Sequence, residues 1–254
     1  MSTVRLFSIS VLLTIFITAC QAQPISTPTS IPEPTETSAP LPTNTPEPTQ
    51  TLQPTNTPEG LIFRDDFTGG IQAGWTWSDE NPMRWEITDD GWMQIRGEDS
   101  SLLLDGYQSN LLCRDAPSGD FQVTMHLDAN PTKDFQQATL YLYKDGTHFI
   151  AINRGYCGPC LSGGSGVFME YKLSGGSGFF KKIFTETDLY LRLVIEENSA
   201  TGYYAIKTDD WQRLGGEGSF FEDPSICLGV SNVDKGKFTA DLIGRFDYID
   251  ISLP

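Results

Sequence analysis

The sequence predicts an all-β domain, a two-sheet antiparallel β-sandwich of jelly-roll architecture, carried behind a disordered linker. Three observations predict it. From residue 61 the chain is a succession of short β-rich runs broken by Gly, Asp, Asn and Pro. Several runs alternate apolar and polar residues with period two, the signature of antiparallel sheets with one buried face. No stretch holds a helical period for three turns. So many strands in one segment fit a sandwich or jelly roll. A domain of this size buries roughly 70% of its unfolded surface, so it needs neither metal nor disulfide merely to fold.

Residues 1–19 carry a basic start (Arg5), an apolar run over 6–17 and small residues before Cys20. The run is shorter than the ~20 residues of a spanning helix, so it reads as an export signal. Ile17-Thr18-Ala19-Cys20 resembles a bacterial lipobox, which implies a diacylated Cys20 as mature N-terminus. An ordinary signal peptide with an incidental cysteine is the alternative. Two or more acyl chains hold a protein stably on a membrane, so the expected location is the cell surface, lipid-anchored and extracytoplasmic.

Residues 20–59 are almost entirely Pro, Thr, Ser, Glu, Gln and Asn, with PTNTPE at 42–47 and again at 54–59. Such a segment has too little apolar surface to offset the entropy of ordering. Its prolines favour an extended helix at ~3.1 Å per residue, so this tether reaches on the order of 100 Å. The formal net charge of −16 disfavours nucleic acid and anionic lipid surfaces as partners. The expected contact with a membrane is through the lipid alone, and the expected state is a monomer.

Strands are expected at 61–67, 75–78, 84–88, 92–96, 110–114, 120–127, 137–144, 148–154 and 167–172, then at 179–184, 189–196, 203–208, 212–215, 226–233, 238–242 and 245–253. In the sixth, Phe121, Val123, Met125 and Leu127 share one face. Lys144-Asp145-Gly146-Thr147 is a hairpin signal, since Asp-Gly suits a type I′ turn. A repeat, LSGGSGVFMEYK at 161–172 and LSGGSGFFKKIF at 173–184, predicts a duplicated hairpin arm of glycine-rich loops and strands.

Asp66-Phe67, Trp75-x-Trp77, Glu80-Asn81-Pro82 and Trp85 occur in an order that resembles the concanavalin A-like domain at the C-terminus of β-xylosidases. Gly91-Trp92-Met93-Gln94-Ile95, Asn110-Leu111-Leu112, Asp120-Phe121-Gln122-Val123 and Phe135-Gln136-Gln137-Ala138 continue the resemblance over residues 60–254. Thr139, where the family usually has Gly, and the CGPC and SGGSG insertions depart from it. The resemblance implies a two-sheet jelly roll whose chain ends lie on neighbouring strands. It implies no catalysis: in β-xylosidases this domain accompanies a separate catalytic propeller.

Aromatic rings are platforms for the apolar faces of sugars. Trp75, Trp92, Tyr107, Tyr156 and Trp211 flank turns and are the candidate glycan-binding residues, although each tryptophan also suits core packing. Trp77 and Trp85 suit burial better. The carboxylate pairs are sequence neighbours, which face opposite ways on a strand and so make no catalytic pair. The E-x-D-x-x-E strand of jelly-roll glucanases is missing. The expected function is therefore a surface-anchored, non-catalytic carbohydrate-binding module, with a structural or protein-interaction β-sandwich of the cell envelope as the alternative and an extracytoplasmic glycoside hydrolase as the third reading. Asp65 or Asp66 on the first strand and Asp247 or Asp250 on the last come together if the chain ends pair, an oxygen set suited to a structural Ca2+.

Beyond Cys20 there are four cysteines, an even set that allows three connectivities in an exported protein. Cys157-Gly158-Pro159-Cys160 is followed by glycine-rich sequence that starts no helix, so it reads as a loop staple rather than a redox motif. That leaves Cys113 with Cys227. His126 and His148 lie in strand patterns without a serine or cysteine partner nearby in sequence, and read as structural.

Overall fold

The computed structural model describes residues 60–218, 221–233 and 241–254. The leader expected at 1–19, the lipidation expected at Cys20, the linker expected at 20–59 and most of the strand expected at 238–242 lie outside them. Among the described residues there are β1 (Leu61–Asp65), β2 (Thr76–Ser78), β3 (Trp85–Ile87), β4 (Met93–Arg96), a single helical turn α1 (Leu102–Asp105) and β5 (Leu111–Asp115). Next come β6 (Phe121–Ala129), β7 (Gln136–Asp145), β8 (His148–Tyr156), β9 (Ser165–Leu173) and β10 (Gly176–Ile183). The chain closes with β11 (Asp188–Glu196), β12 (Ser199–Ala205), β13 (Gln212–Gly218), β14 (Ser225–Asn232) and β15 (Ile243–Ser252).

These strands form two antiparallel sheets. The first runs β13-β12-β11-β6-β15-β4-β3, with β1 also paired to β15. The second runs β10-β9-β8-β7-β14-β5-β2. β15 is long enough to pair with β4 through Ile243–Phe246 and with β1 through Ile249–Ser252, so the first and last strands of the domain are neighbours.

Alternation decides what is buried. Phe121, Val123, Met125 and Leu127 of β6 and Leu189, Leu191, Leu193 and Ile195 of β11 face inward. They meet Ala138, Leu140 and Leu142 of β7 and Ile226, Leu228 and Val230 of β14 in one core between the sheets. Each such side chain stabilises the fold by roughly 1.5–3 kcal/mol of transfer free energy before entropy is counted. At the open edge, Trp77 of β2 stacks on Trp85 of β3 with centroids 4.9 Å apart, so one ring from each sheet seals the sandwich.

The outer face of the second sheet is not bare. The segment carrying α1 crosses it, and Leu102 packs with Leu111, Tyr141, Phe149, Ala151 and Cys227 in a second, smaller core. Gly146 sits against this crossing: a side chain there would strike the carbonyl of Gly106. Cys113 and Cys227 face each other across β5 and β14, with Cα atoms 4.1 Å apart, and are disulfide-bonded. Cys157 and Cys160 form the second disulfide, inside the loop after β8.

The two glycine-rich copies pair with each other. Val167 of β9 lies opposite Lys182 of β10, and Leu173 opposite Gly176, so the repeat is a hairpin folded on itself. The hairpin expected at Asp145 forms, but not as a type I′ turn. Its central residues are Gly146 and Thr147, with Asp145 opposite His148. Neither central residue is left-handed. The Thr147 N–H donates to Asp145 Oδ1 at 2.7 Å, so a side-chain-closed turn replaces the glycine-driven one.

Candidate functional site

The outward face of the first sheet collects aromatic rings. Because Phe121, Val123, Met125 and Leu127 point into the core, His126 points out; by the same alternation Tyr190 leaves β11 and Tyr248 leaves β15. Sheet order then sets them beside one another. His126 stacks on Tyr190 at 4.3 Å and 14°, and Tyr248 lies 5.9 Å from His126. Trp92, just before β4, stands 5.2 Å from His126 on one side. Trp211, just before β13, meets Tyr190 edge-on at 6.5 Å on the other. The result is a row Trp92–His126–Tyr190–Trp211, all half-buried, crossing the strands. Its width is several strand spacings, on the order of 15 Å.

Charged groups hold the rings. Arg192 lies 3.8 Å over Trp211 and donates to Thr124 Oγ1 at 2.9 Å. Arg64 lies 4.0 Å over Tyr248 and pairs with Asp250 at 2.9 Å. Arg245 lies 4.7 Å from Trp92 and pairs with Asp90 at 2.6 Å. His126 is fixed from both sides, its Nδ1 2.8 Å from Asp247 and its Nε2 2.7 Å from Asp188. Burial pushes the Tyr248 hydroxyl up to about 12, with Asp250 adding to it, so this group stays a neutral donor and acceptor. Burial also raises Tyr190, and it raises Asp250 against the opposing pull of Arg64. A shallow recess of about 240 Å³, with Gln122, Thr124, Arg192, Tyr248 and Asp250 in its wall, adjoins the row. Partly exposed aromatic rings edged by oriented donors and acceptors suit a sugar, whose ring has apolar C–H faces and a rim of hydroxyls.

The candidates named from sequence separate accordingly. Trp92 and Trp211 belong to the row. Trp75 does not: its ring packs on the core, and its Nε1 donates to Asp65 at 2.9 Å. Tyr107 is 54% exposed, but on the loop that crosses the other sheet. Tyr156 ends β8 with its ring against Gly164, also away from the row. Sequence reasoning missed Tyr190 and Tyr248 and treated His126 as purely structural. Alternation marks all three as outward-facing, but it does not say which strands lie side by side.

The acids expected to share a cation are apart in their contacts. Asp65 is fully buried and accepts from the N–H groups of Phe67 and Gln72 as well as from Trp75, at 2.9–3.0 Å. Asp66 is turned to Thr68, whose hydroxyl donates at 2.6 Å, and Asp247 is turned to His126. Among the described residues no group of three or more His, Cys, Asp or Glu is gathered around a point that would hold a metal. In this structure Asp65 is a hub for backbone and indole donors, while Asp66 and Asp247 are turned to Thr68 and His126.

Comparison with known proteins agrees with the architecture. The family model described as the β-xylosidase C-terminal concanavalin A-like domain matches residues 64–239. No curated protein sequence matches the chain. Among solved structures, a GH43 protein from Bacillus licheniformis superposes with a TM-score of 0.65 at 18% identity, over 75% of this chain and 39% of that one. A xylan β-1,4-xylosidase from Bacillus halodurans C-125 gives 0.61 at 17%, over 74% and 38%. A glycosyl hydrolase family protein from Mycobacterium fortuitum gives 0.55 at 12%, over 76% of this chain and 99% of that one. The chain thus spans about two-fifths of the length of the two Bacillus proteins.

Proposed function

We propose that this chain, which belongs to the β-xylosidase C-terminal concanavalin A-like family, is a carbohydrate-binding module without glycosidase activity, displayed at the cell surface. The observation that carries this reading is the row Trp92–His126–Tyr190–Trp211 on the outward face of the first sheet. In this reading a glycan chain lies along the row, its sugar faces on the indole rings. Arg192, Thr124 and the Tyr248 hydroxyl address its hydroxyl groups. The family supports the assignment, because its domain is the non-catalytic part of the GH43 enzymes. Two carboxylates beside the rings, Asp188 and Asp247, are both engaged by His126. The lipidated Cys20 and the linker at 20–59 complete the proposal, holding the domain away from a membrane.

The test is retention of the full chain on immobilised polysaccharides, xylan and β-glucans among them, with released reducing sugar assayed in parallel. Saturable retention without release is expected. Trp92→Ala and Trp211→Ala should each weaken it about tenfold, the loss of one stacking platform. Failure to bind any glycan, or binding indifferent to both substitutions, overturns the reading.

A further inference from the structure

The second sheet carries a different constellation. The β7–β8 and β9–β10 turns lie at the same end of it, because the four strands run alternately up and down. Between these turns lies a cavity of about 390 Å³. His148, first residue of β8, extends its Nε2 to within 2.8 Å of Ser174 Oγ. Its Nδ1 lies 3.2 Å from Asp145 Oδ1. All three line the cavity, together with Lys144 and Gly175, while Leu173 and Phe221 give it an apolar wall.

We propose that Ser174, His148 and Asp145 act as nucleophile, general base and orienting acid in the hydrolysis of small acyl esters. A serine attacks when a neighbouring base takes its proton and a third group fixes that base. Ser174 sits in the glycine-rich turn of the second repeat copy, outside the ladder that Leu173 and Gly176 close. Thr147 helps to hold the acid: its N–H and hydroxyl donate to Asp145 Oδ1 at 2.7 and 2.6 Å. These bonds, with His148 contributing less, keep the Asp145 carboxyl at about 2 and therefore ionised. The Thr147 hydroxyl also stands 3.1 Å from His148 Nδ1, so the ring is steadied by two partners on that side.

In the first step the Ser174 hydroxyl proton passes to His148 Nε2 and Oγ bonds to the ester carbonyl carbon. Lys144, whose ammonium donates to the Glu222 carbonyl at 3.3 Å, lines the same cavity as Gly175 and brings a positive charge to the side where the oxyanion develops. The C–O bond to the alcohol then breaks, the alkoxide takes the proton from His148, and an acyl-serine remains. Water reverses the sequence: it loses a proton to His148, bonds to the acyl carbon and displaces Ser174, which recovers the proton. Ester and water give acid and alcohol. This does not rest on the glycan-binding reading, since it uses a different sheet and different residues.

The experiment exposes the full chain to p-nitrophenyl acetate and, separately, to a fluorophosphonate probe, with the labelled serine mapped by peptide mass spectrometry. Ester cleavage above the buffer rate and a covalent adduct on Ser174 are expected. Ser174→Ala should lose both, and His148→Ala should lower turnover on the order of 100-fold. Ser162→Ala, the same position in the first repeat copy, should change neither. Circular dichroism of each variant confirms that the domain is folded. Absence of both label and turnover in the folded parent, or cleavage unchanged in folded Ser174→Ala, overturns the proposal.

Discussion

The two sheets have similar inward faces and opposite outward ones. On the first, every ring and charge of the row faces solvent in part, and each charged group has a partner. On the second, the crossing segment with α1 covers Tyr141, Phe149, Ala151 and Cys227, and polar groups of the same sheet are buried. Glu170 and Gln137 are each 7% exposed, Asn153 and Thr139 almost wholly buried. Neither polar end of Asn153 has a hydrogen-bond partner. Outward-facing strand positions therefore do not share one environment. Whether a segment crosses the sheet decides if a polar side chain is a recognition group or a cost to stability.

The largest expected effect sharpens this contrast on the covered side. The Cys113–Cys227 disulfide joins neighbouring strands beneath the cover and closes a loop of 114 residues in sequence separation. In the chain-entropy account, replacing both with alanine should lower stability by about 5 kcal/mol, read from urea unfolding. The Cys157–Cys160 disulfide spans a separation of 3, and its loss should cost under about 2 kcal/mol. Equal losses would show that strand pairing, rather than loop closure, sets the value of the first bond.

Glu170 tests the cost of burial. Its carboxyl is raised from 4.5 to about 7, chiefly by burial, with the Gln137 amide at 2.8 Å pulling weakly the other way. The folded protein thus keeps a proton that the unfolded chain releases near 4.5. Between these values the native state binds more protons, so stability falls as pH rises and is lowest, for this group, above about 7. Glu170→Gln should remove the slope and stabilise the protein at pH 8 by on the order of 1–3 kcal/mol. Thermal unfolding of both proteins at pH 5 and pH 8 checks it; an unchanged slope would mean that the carboxylate is well solvated.

The smallest effect belongs to the open face. The Arg64–Asp250 pair has side chains 40% and 19% exposed, so Arg64→Ala should cost only about 0.2–1 kcal/mol, and less at high salt. A loss several times larger would make the packing of Arg64 on Tyr248 structural and would blur the distinction between the faces.

The tryptophan-rich stretch at 63–92 shows how unevenly function is legible in a chain. Trp75, Trp77, Trp85 and Trp92 look alike in sequence, each beside turns and acids. In the fold the first three are packed against the core, and only Trp92 reaches the outward row. The acids at 65 and 66 are equally similar by sequence, yet Asp65 is buried with three donors and Asp66 faces solvent.

What the sequence determined by itself is local. Period-two alternation assigned the strands and their inward faces, and the frequency of turn residues required antiparallel sheets. The order of short motifs was enough to resemble the correct family. The tertiary structure alone decided adjacency. Trp92 and Trp211 meet through His126 and Tyr190 because β4, β15, β6 and β11 are neighbours in one sheet, an order that no local pattern encodes. Ser174 meets His148, 26 positions away, because two hairpins end together. The physical reason is the same in each case. Alternation fixes which way a side chain points, whereas its neighbours are fixed by strand pairing between segments far apart in the chain, where the free energy of the whole core chooses the arrangement.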